Sequence, residues 1–252
     1  MSATLRRLPA RHRLDVLAIL VVIAVVWQGV YEYAGAVAIT SPAGTVVFAA
    51  QLLGRTHFWA DAAATGIALA WSFAIAAALG VLGGLALGLS PIAADVTEPV
   101  LAALYAIPKI TLYPVILLLF GLGLPAKVAF GVIHGVIPVT LLTLAAVRGI
   151  PSVLLRTARV LRLSRRQTML TLLAPAVLPE IVTGLRIGFS LTLLGVLIGE
   201  MFASQRGLGF LIISGINNHN VPLTTAVVLI VVSVAILANA ALLALDRRLH
   251  RG

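Results

Sequence analysis

The sequence predicts an all-α membrane protein with six transmembrane helices, and three observations carry that expectation. Hydrophobic residues make up 61% of the 252 residues, charged residues only 10%, and mean hydropathy is +1.11. A soluble domain carries roughly 25% charged and 45–50% apolar residues, so this surplus cannot be buried in one water-soluble core. Lipid is therefore the solvent for most of the chain. Second, six stretches meet or approach the roughly 20 apolar residues that a helix needs to cross a bilayer. Third, Lys and Arg gather at the two ends and in one central loop, which is the positive-inside pattern.

The first stretch is Val16–Thr40, interrupted by Glu32 and preceded by Arg6, Arg7, Arg11 and Arg13. A basic start before an apolar run is also the form of a signal peptide, and Ala36-Val37-Ala38 offers small residues for cleavage. The length of the run and the five spans after it favour an uncleaved helix. The others are Ala62–Leu89, Val100–Leu122, Val128–Val147, Ile181–Ala203 and Leu223–Leu245. The second, fourth and sixth contain no acidic or basic residue except His134. Gly80, Gly84 and Gly88 make two successive G-x-x-x-G steps, which let helices approach closely, here within one subunit. His134, beside Gly135 and Pro138, reads as a packed polar residue. The expected organisation is a basic tail (1–15), a six-helix domain (16–245) containing a long loop (148–180), and a second tail (246–252).

Placing the N-terminus inside puts fourteen of the eighteen Lys and Arg residues on the cytoplasmic side. Arg55, Lys127 and Arg206 fall outside, and Lys109 falls within a span. Both termini are then cytoplasmic. A net charge of +10 on a soluble fold would raise nucleic-acid binding. Here the basic residues are not clustered on one groove-like face, so that class is excluded. The absence of cysteine removes disulfides, thiolate metal sites and thiol nucleophiles. Neither G-x-x-x-x-G-K-[ST] nor H-E-x-x-H occurs, and the five histidines show no metal-ligand spacing. No catalytic residue, metal site or cofactor is expected on this chain.

The loop between the fourth and fifth spans stands apart by its length. Pro151 begins a helix there, with Ser152 as capping candidate. Leu154, Ala158 and Leu161 fall on one face, and Arg156, Arg159, Arg162 and Arg166 on another. Pro175 and Pro179 are expected to break the segment before the fifth span. Periodicity leaves two readings open: a basic helix lying on anionic headgroups, or a docking element for a cytoplasmic partner.

The wording of the loop separates them. Leu155-Arg156-Thr157-Ala158-Arg159-Val160-Leu161-Arg162-Leu163-Ser164, followed by Ala174-Pro175-Ala176-Val177-Leu178-Pro179, resembles the EAA loop of ABC importer permeases. Tyr105-Ala106-Ile107-Pro108-Lys109-Ile110, Tyr113-Pro114, Phe120-Gly121-Leu122-Gly123, Thr183-Gly184-Leu185-Arg186, Gly199-Glu200-Met201 and Gly207-Leu208-Gly209 resemble the nitrate/sulfonate/taurine branch. The resemblance covers roughly residues 60–245. It implies a type I importer permease fold in a bacterial inner membrane, working by alternating access. It also implies a second permease copy, two cytoplasmic ATPase subunits that hold the ATP and Mg, and an extracytoplasmic solute-binding protein. Leu154, Arg156, Ala158, Arg159, Leu161 and Arg162 become the ATPase-docking residues. Arg156 stands where the motif has Glu, Thr157 where it has the first Ala, and Arg162 where it has Gly; only Ala158 matches directly. Two consequences are open. The turn is reshaped, because Arg adopts a left-handed backbone less readily than Gly, or Arg156 and Arg162 pair with acidic residues on a dedicated ATPase.

Two charged residues within or near the ends of spans are pathway or gate candidates. Lys109 either meets an anionic solute or bonds carbonyls freed by Pro108 and Pro114. Glu200 either lines an outer gate or pairs with Arg206 or Lys127. The implied solute is a small anion such as a sulfonate, nitrate or taurine; an aromatic carboxylate or a vitamin precursor is the alternative. An ion-coupled secondary carrier would need paired intramembrane acids or matched broken helices, and an intramembrane enzyme would need clustered His, Asp, Glu or Ser. The sequence shows neither.

Overall fold

The computed structural model describes residues 10–249. The residues expected to form the outermost tails, including Arg6, Arg7 and Arg251, lie outside them. The described residues fall into two compact units, 10–56 with 212–230 and 57–211 with 231–249.

In the first unit, α1 (Ala10–Ala34) ends at Gly35, whose φ of 78° lies in the left-handed region that favours glycine. Trp27 on α1 donates its indole N–H to the Thr40 carbonyl (3.0 Å). A short helix absent from the six expected spans, α2 (Pro42–Leu53), follows. Ser41 caps it by accepting from the Gly44 amide (3.2 Å), with Pro42 at the first position, where a missing N–H costs nothing.

In the second unit, α3 (Thr56–Gly88) and α6 (Leu124–Arg148) are longer than the apolar stretches that announced them. They take in Asp61 and Lys127, which the sequence analysis placed outside the spans. Between them the expected third span is broken. α4 (Pro91–Ala106), capped by Ser90, stops before Pro108; a 3₁₀ turn (Lys109–Leu112) and α5 (Tyr113–Phe120) leave it at 86°. Pro108 lacks the N–H that would continue α4, and it disfavours helical backbone at Ile107.

After α6 come α7 (Ser152–Val160), the single turn α8 (Arg165–Gln167), a π-helical segment (Thr168–Leu173) and α9 (Ala174–Ala203). Contrary to expectation, Pro175 and Pro179 do not break this segment. One helix runs over Thr168–Phe202. The π turn resolves the conflict: the Ala174 amide donates to Met169, five residues back, just before Pro175 removes a donor. α10 (Leu208–Asn217) and α11 (Val221–Leu249) complete the described chain. Among the described residues, five helices are long and apolar enough to cross a membrane, and six if the bent α4/α5 pair is one span.

Close approach of α3, α6 and α9 forms the core of this unit. A Cβ on Gly80, Gly84 or Gly88 would sit 2.5–2.7 Å from Val139, Thr143 or Val147 on α6. The glycine stripe therefore packs α3 onto α6 of the same chain. Gly135 on α6 faces Gly188 and Thr192 on α9, and Gly195 on α9 faces Phe130 and His134. Without a hydrophobic driving force in lipid, such close packing is what holds helices together. His134 is buried in this contact, its Nδ1 2.8 Å from the Phe130 carbonyl and its ring stacked on Phe130.

Candidate functional site

At the end of this core where α6 begins and α9 finishes, four charged or polar side chains are buried together. Glu200 on α9 is fully buried, with Thr65 and Asp61 on α3 at 4% exposure and Lys127 in the first turn of α6 at 5%. Thr65 Oγ1 lies 2.8 and 3.0 Å from the two Glu200 oxygens, and Lys127 Nζ lies 3.3 Å from one of them. The Gly209 amide donates to Glu200 (3.0 Å), the Gly207 amide to Asp61 (3.0 Å), and the Leu208 amide to Thr65 Oγ1 (2.8 Å). Lys127 also donates to the Arg206 carbonyl (2.7 Å). Each buried charge thus has a counter-charge or backbone hydrogen bonds, the condition for burying it at all.

The geometry explains the Gly207-Leu208-Gly209 wording. Gly207 has φ 125°, and a Cβ there would collide with the Glu200 carboxylate. A Cβ on Gly209 would collide with the Leu197 carbonyl. Glycine lets the backbone reach both carboxylates, and the loop between α9 and α10 is fastened to α3, α6 and α9 at once. Of the two cations weighed for Glu200, Lys127 is the partner. No paired acids were legible in the sequence; the structure brings Asp61 and Glu200 to one three-residue segment, Gly207 and the first two residues of α10.

Lys109 stands at the bend. The residue is half-buried; its ammonium donates to the Tyr105 carbonyl in the last turn of α4 (3.0 Å) and lies 4.9 Å from the Tyr105 ring centroid. It does not meet Glu200.

The loop residues form a second constellation. α7 has Pro151 as its N-cap residue, and Ser152, expected to cap it, makes no cap hydrogen bond. Leu154 is half-buried and Ala158 buried, whereas Leu161, expected on the same stripe, is 62% exposed. The helix ends at Val160, so Leu161 lies beyond the repeat that would have turned it inward. Arg156, Arg159, Arg162 and Arg166 are exposed.

The turn after α7 decides one of the two questions left by Arg162. The Leu163 amide donates to Ala158 (3.0 Å) and the Arg162 amide to Arg159 (3.1 Å), with Arg162 at φ 51°. This is a Schellman motif with Arg in the left-handed position that usually belongs to glycine. The turn is not reshaped; Arg162 adopts the conformation that the motif's Gly would supply. A non-glycine residue there costs roughly 1–2 kcal/mol. Arg162→Gly is expected to stabilise the folded chain by about 1 kcal/mol or less, since glycine's greater freedom in the unfolded chain offsets part of the relief; an unfolding titration in mixed micelles reads the difference.

At the far end of α6, Arg148 bridges to α4, 2.8 Å from Asp95 and 3.0 Å from Glu98. All three side chains are at least 39% exposed. Arg148→Met is accordingly expected to cost no more than about 1 kcal/mol in the same titration.

Residues 76–251 match the family model described as the binding-protein-dependent transport system inner membrane component. The chain belongs to this family. It is an inner-membrane permease subunit of an ABC importer. The taurine transport permease TauC of Escherichia coli is 30% identical over 191 residues, 76% of this chain and 70% of its own. The nitrate import permease NrtB of Leptolyngbya laminosa is 31% identical over 183 residues, 73% of this chain and 65% of its own. These place the permease in the nitrate/sulfonate/taurine branch. Among solved structures, the methionine ABC transporter MetNI in inward-facing conformations matches with a TM-score of 0.58 and 20% identity, over 79% of this chain and 96% of that one. The permease therefore shares the importer fold.

Proposed function

We propose that this permease works in an ATP-driven importer, moving a small anionic solute inward by alternating access. Two copies form the pathway, two separate ATPase subunits bind and hydrolyse ATP, and an extracytoplasmic protein delivers the solute. The observation that carries this reading is the α7 hairpin: a short helix anchored through Ala158, closed by a Schellman turn, and exposing its other face. No transport chemistry inside the bilayer needs such an element. A soluble partner that drives the membrane helices does.

The positive-inside distribution puts this hairpin, the Arg148 cluster and both termini on the cytoplasmic side. The Glu200 cluster is then at the outer end. There it is a structural fastening for the loop leading to α10, in preference to a gate, because every buried charge is already satisfied within the chain. Lys109, at the bend of a broken span, is the residue placed to meet an anion. Sulfonate and nitrate chemistry is supported by the names of the relatives, taurine and nitrate permeases.

Co-expression with the ATPase is the direct test. The expected result is a stable complex whose ATP hydrolysis rises with the solute-loaded binding protein. Lys109→Met is expected to reduce uptake by about tenfold or more if its charge meets the solute in a desolvated pathway, with assembly unchanged. Uptake by this chain alone in liposomes, driven by an ion gradient, would contradict the reading.

A further inference from the structure

We infer that the cavity where α6 ends and α7 begins binds a small organic cation, a protonated amine on an apolar body, with the Glu180 carboxylate as its anchor. The inference is independent of the transported solute and of the ATPase partnership. The cavity has a volume of about 490 Å³ and lies between the end of α6, the start of α7 and the first turns of α9.

Glu180 comes first, because its carboxylate has no donor. Among the side chains described, every other acid is engaged. Glu32 accepts from Gln28, Asp61 from Gly207 and Glu200 from Thr65; Asp95 and Glu98 meet Arg148, and Asp15 has contacts of its own. Glu180 makes neither a hydrogen bond nor an ion pair among the described residues. The Thr183 hydroxyl, three residues further along the same face of α9, is equally open. Both residues line the cavity. Together they offer a carboxylate and a hydroxyl acceptor to a cationic N–H group, the pairing that makes the stronger kind of hydrogen bond.

The end of α6 adds negative potential from the opposite wall. The Gly149 amide donates to Ala145 (2.8 Å) and the Ile150 amide to Val147 (3.4 Å), so the Ala146 carbonyl does not receive the bond from four residues ahead. Pro151, next in line, has no N–H to give. Ala146 and Pro151 both line the cavity, and the carbonyl end of a helix favours a cation. The cation that α6 itself carries there, Arg148, is turned to α4, where Asp95 and Glu98 hold it. None of the lining residues is basic, so the charge that meets Glu180 is a ligand's.

The rest of the wall sets the ligand's body. Leu142, Ile150, Leu154 and Ala176 make it apolar, which suits a hydrocarbon group and not a hydrated ion. A hard metal ion takes roughly six or more oxygen ligands. Among the described residues no group of three His, Asp or Glu could hold one. At roughly 30 Å³ per water, the cavity is also far larger than a bare ion fills. A bound amine touches α6, α7 and α9 at once, and so holds the root of the hairpin against the membrane helices.

The test uses the full-length permease in nanodiscs of zwitterionic lipid, with 4-fluorobenzylammonium as the probe and the broadening of its fluorine resonance as the readout. Saturable broadening beyond that of empty nanodiscs is expected. Glu180→Gln keeps the shape and removes the charge. It is expected to weaken binding by about tenfold or more, since a hydrogen bond to a charged partner is lost. Because Glu180 is exposed, monodispersity and unfolding midpoint stay at wild-type values. Ala145→Leu keeps the carboxylate and fills the cavity from the α6 wall, and is expected to weaken binding in the same direction. The anion 4-fluorobenzoate, similar in size and opposite in charge, is expected to show no saturable binding. An absence of saturable binding to the wild type overturns the inference. Undiminished binding by either variant does so too, since it marks partition into the bilayer, and binding of the benzoate as tight as that of the amine overturns the cationic class. Each of these results leaves the permease reading intact.

Discussion

Lys127→Met is expected to destabilise the permease by about 3–5 kcal/mol, because it leaves the Glu200 carboxylate buried without its counter-ion. Lys127 is 5% exposed and Glu200 fully buried, so water cannot replace the lost ammonium without opening the helix contact. Lys127 also donates to the Arg206 carbonyl, so a second hydrogen bond is lost, although Ser204 Oγ still donates to that oxygen. Glu200→Gln in the wild-type background is expected to cost less, since the amide keeps an acceptor for Thr65 and Gly209 while leaving Lys127 uncompensated. The double variant, Lys127→Met with Glu200→Gln, removes both charges and is expected to recover a large part of the Lys127→Met loss. Unfolding titrations of the four proteins form a cycle whose coupling should be about 1–3 kcal/mol. Additive losses would show that the two side chains do not act as a pair. Transport assays on the double variant separate fastening from gating: a folded, active double variant is the outcome the structure favours.

Gly84→Ala is the second large effect. A Cβ at this position would lie 2.7 Å from the Thr140 carbonyl, as well as against the Thr143 side chain. Backbone cannot step aside as a flexible side-chain end can, so α3 and α6 must separate. A loss of about 1–3 kcal/mol is expected, with a fall in the yield of folded protein. Its neighbour supplies the control. At Gly83 an added Cβ would meet only Thr140 Cγ2, at an ordinary 3.8 Å. Gly83→Ala is therefore expected to leave stability unchanged or slightly raised, because Ala is a better helix former. Equal losses at both positions would mean that glycine is needed for backbone freedom and not for close approach.

The spans were legible in the sequence because hydropathy reports burial in lipid directly. The charges that fasten them were not. Asp61 and Lys127 sit one residue outside the apolar stretches beginning at Ala62 and Val128, and ending an apolar run at the first charge discarded both. Nothing local could join them to Glu200, which lies 73 residues from Lys127 and 135 from Thr65. The signal that was available is Gly207-Leu208-Gly209, two glycines spaced to bring backbone amides toward an anion. Pro108 was equally visible, yet a proline within an apolar run is compatible with a kink or a full break, and only the fold shows the 86° turn.

The loop teaches a different lesson. Its α7 helix and the common face of Leu154 and Ala158 follow from spacing; that Ala158 is buried within the chain, where the docking reading offered it to a partner, does not. The outward turn of Leu161 does not, because it depends on the helix stopping at Val160. Arg162 could be matched to a glycine position from the wording of the loop, but its identity argued for a different turn. The structure shows that the turn won and the arginine accepted the strain, held by the Ala158 and Arg159 carbonyls. Local preference gave way to a motif closed by two hydrogen bonds.

The measurement that bears most directly on the account is ATP hydrolysis and solute uptake in proteoliposomes, made with and without the ATPase and the loaded binding protein. Uptake is expected only when all components and ATP are present, with hydrolysis stimulated by the loaded binding protein from the outer side. Solute accumulation by this permease alone, with no dependence on ATP, would contradict it.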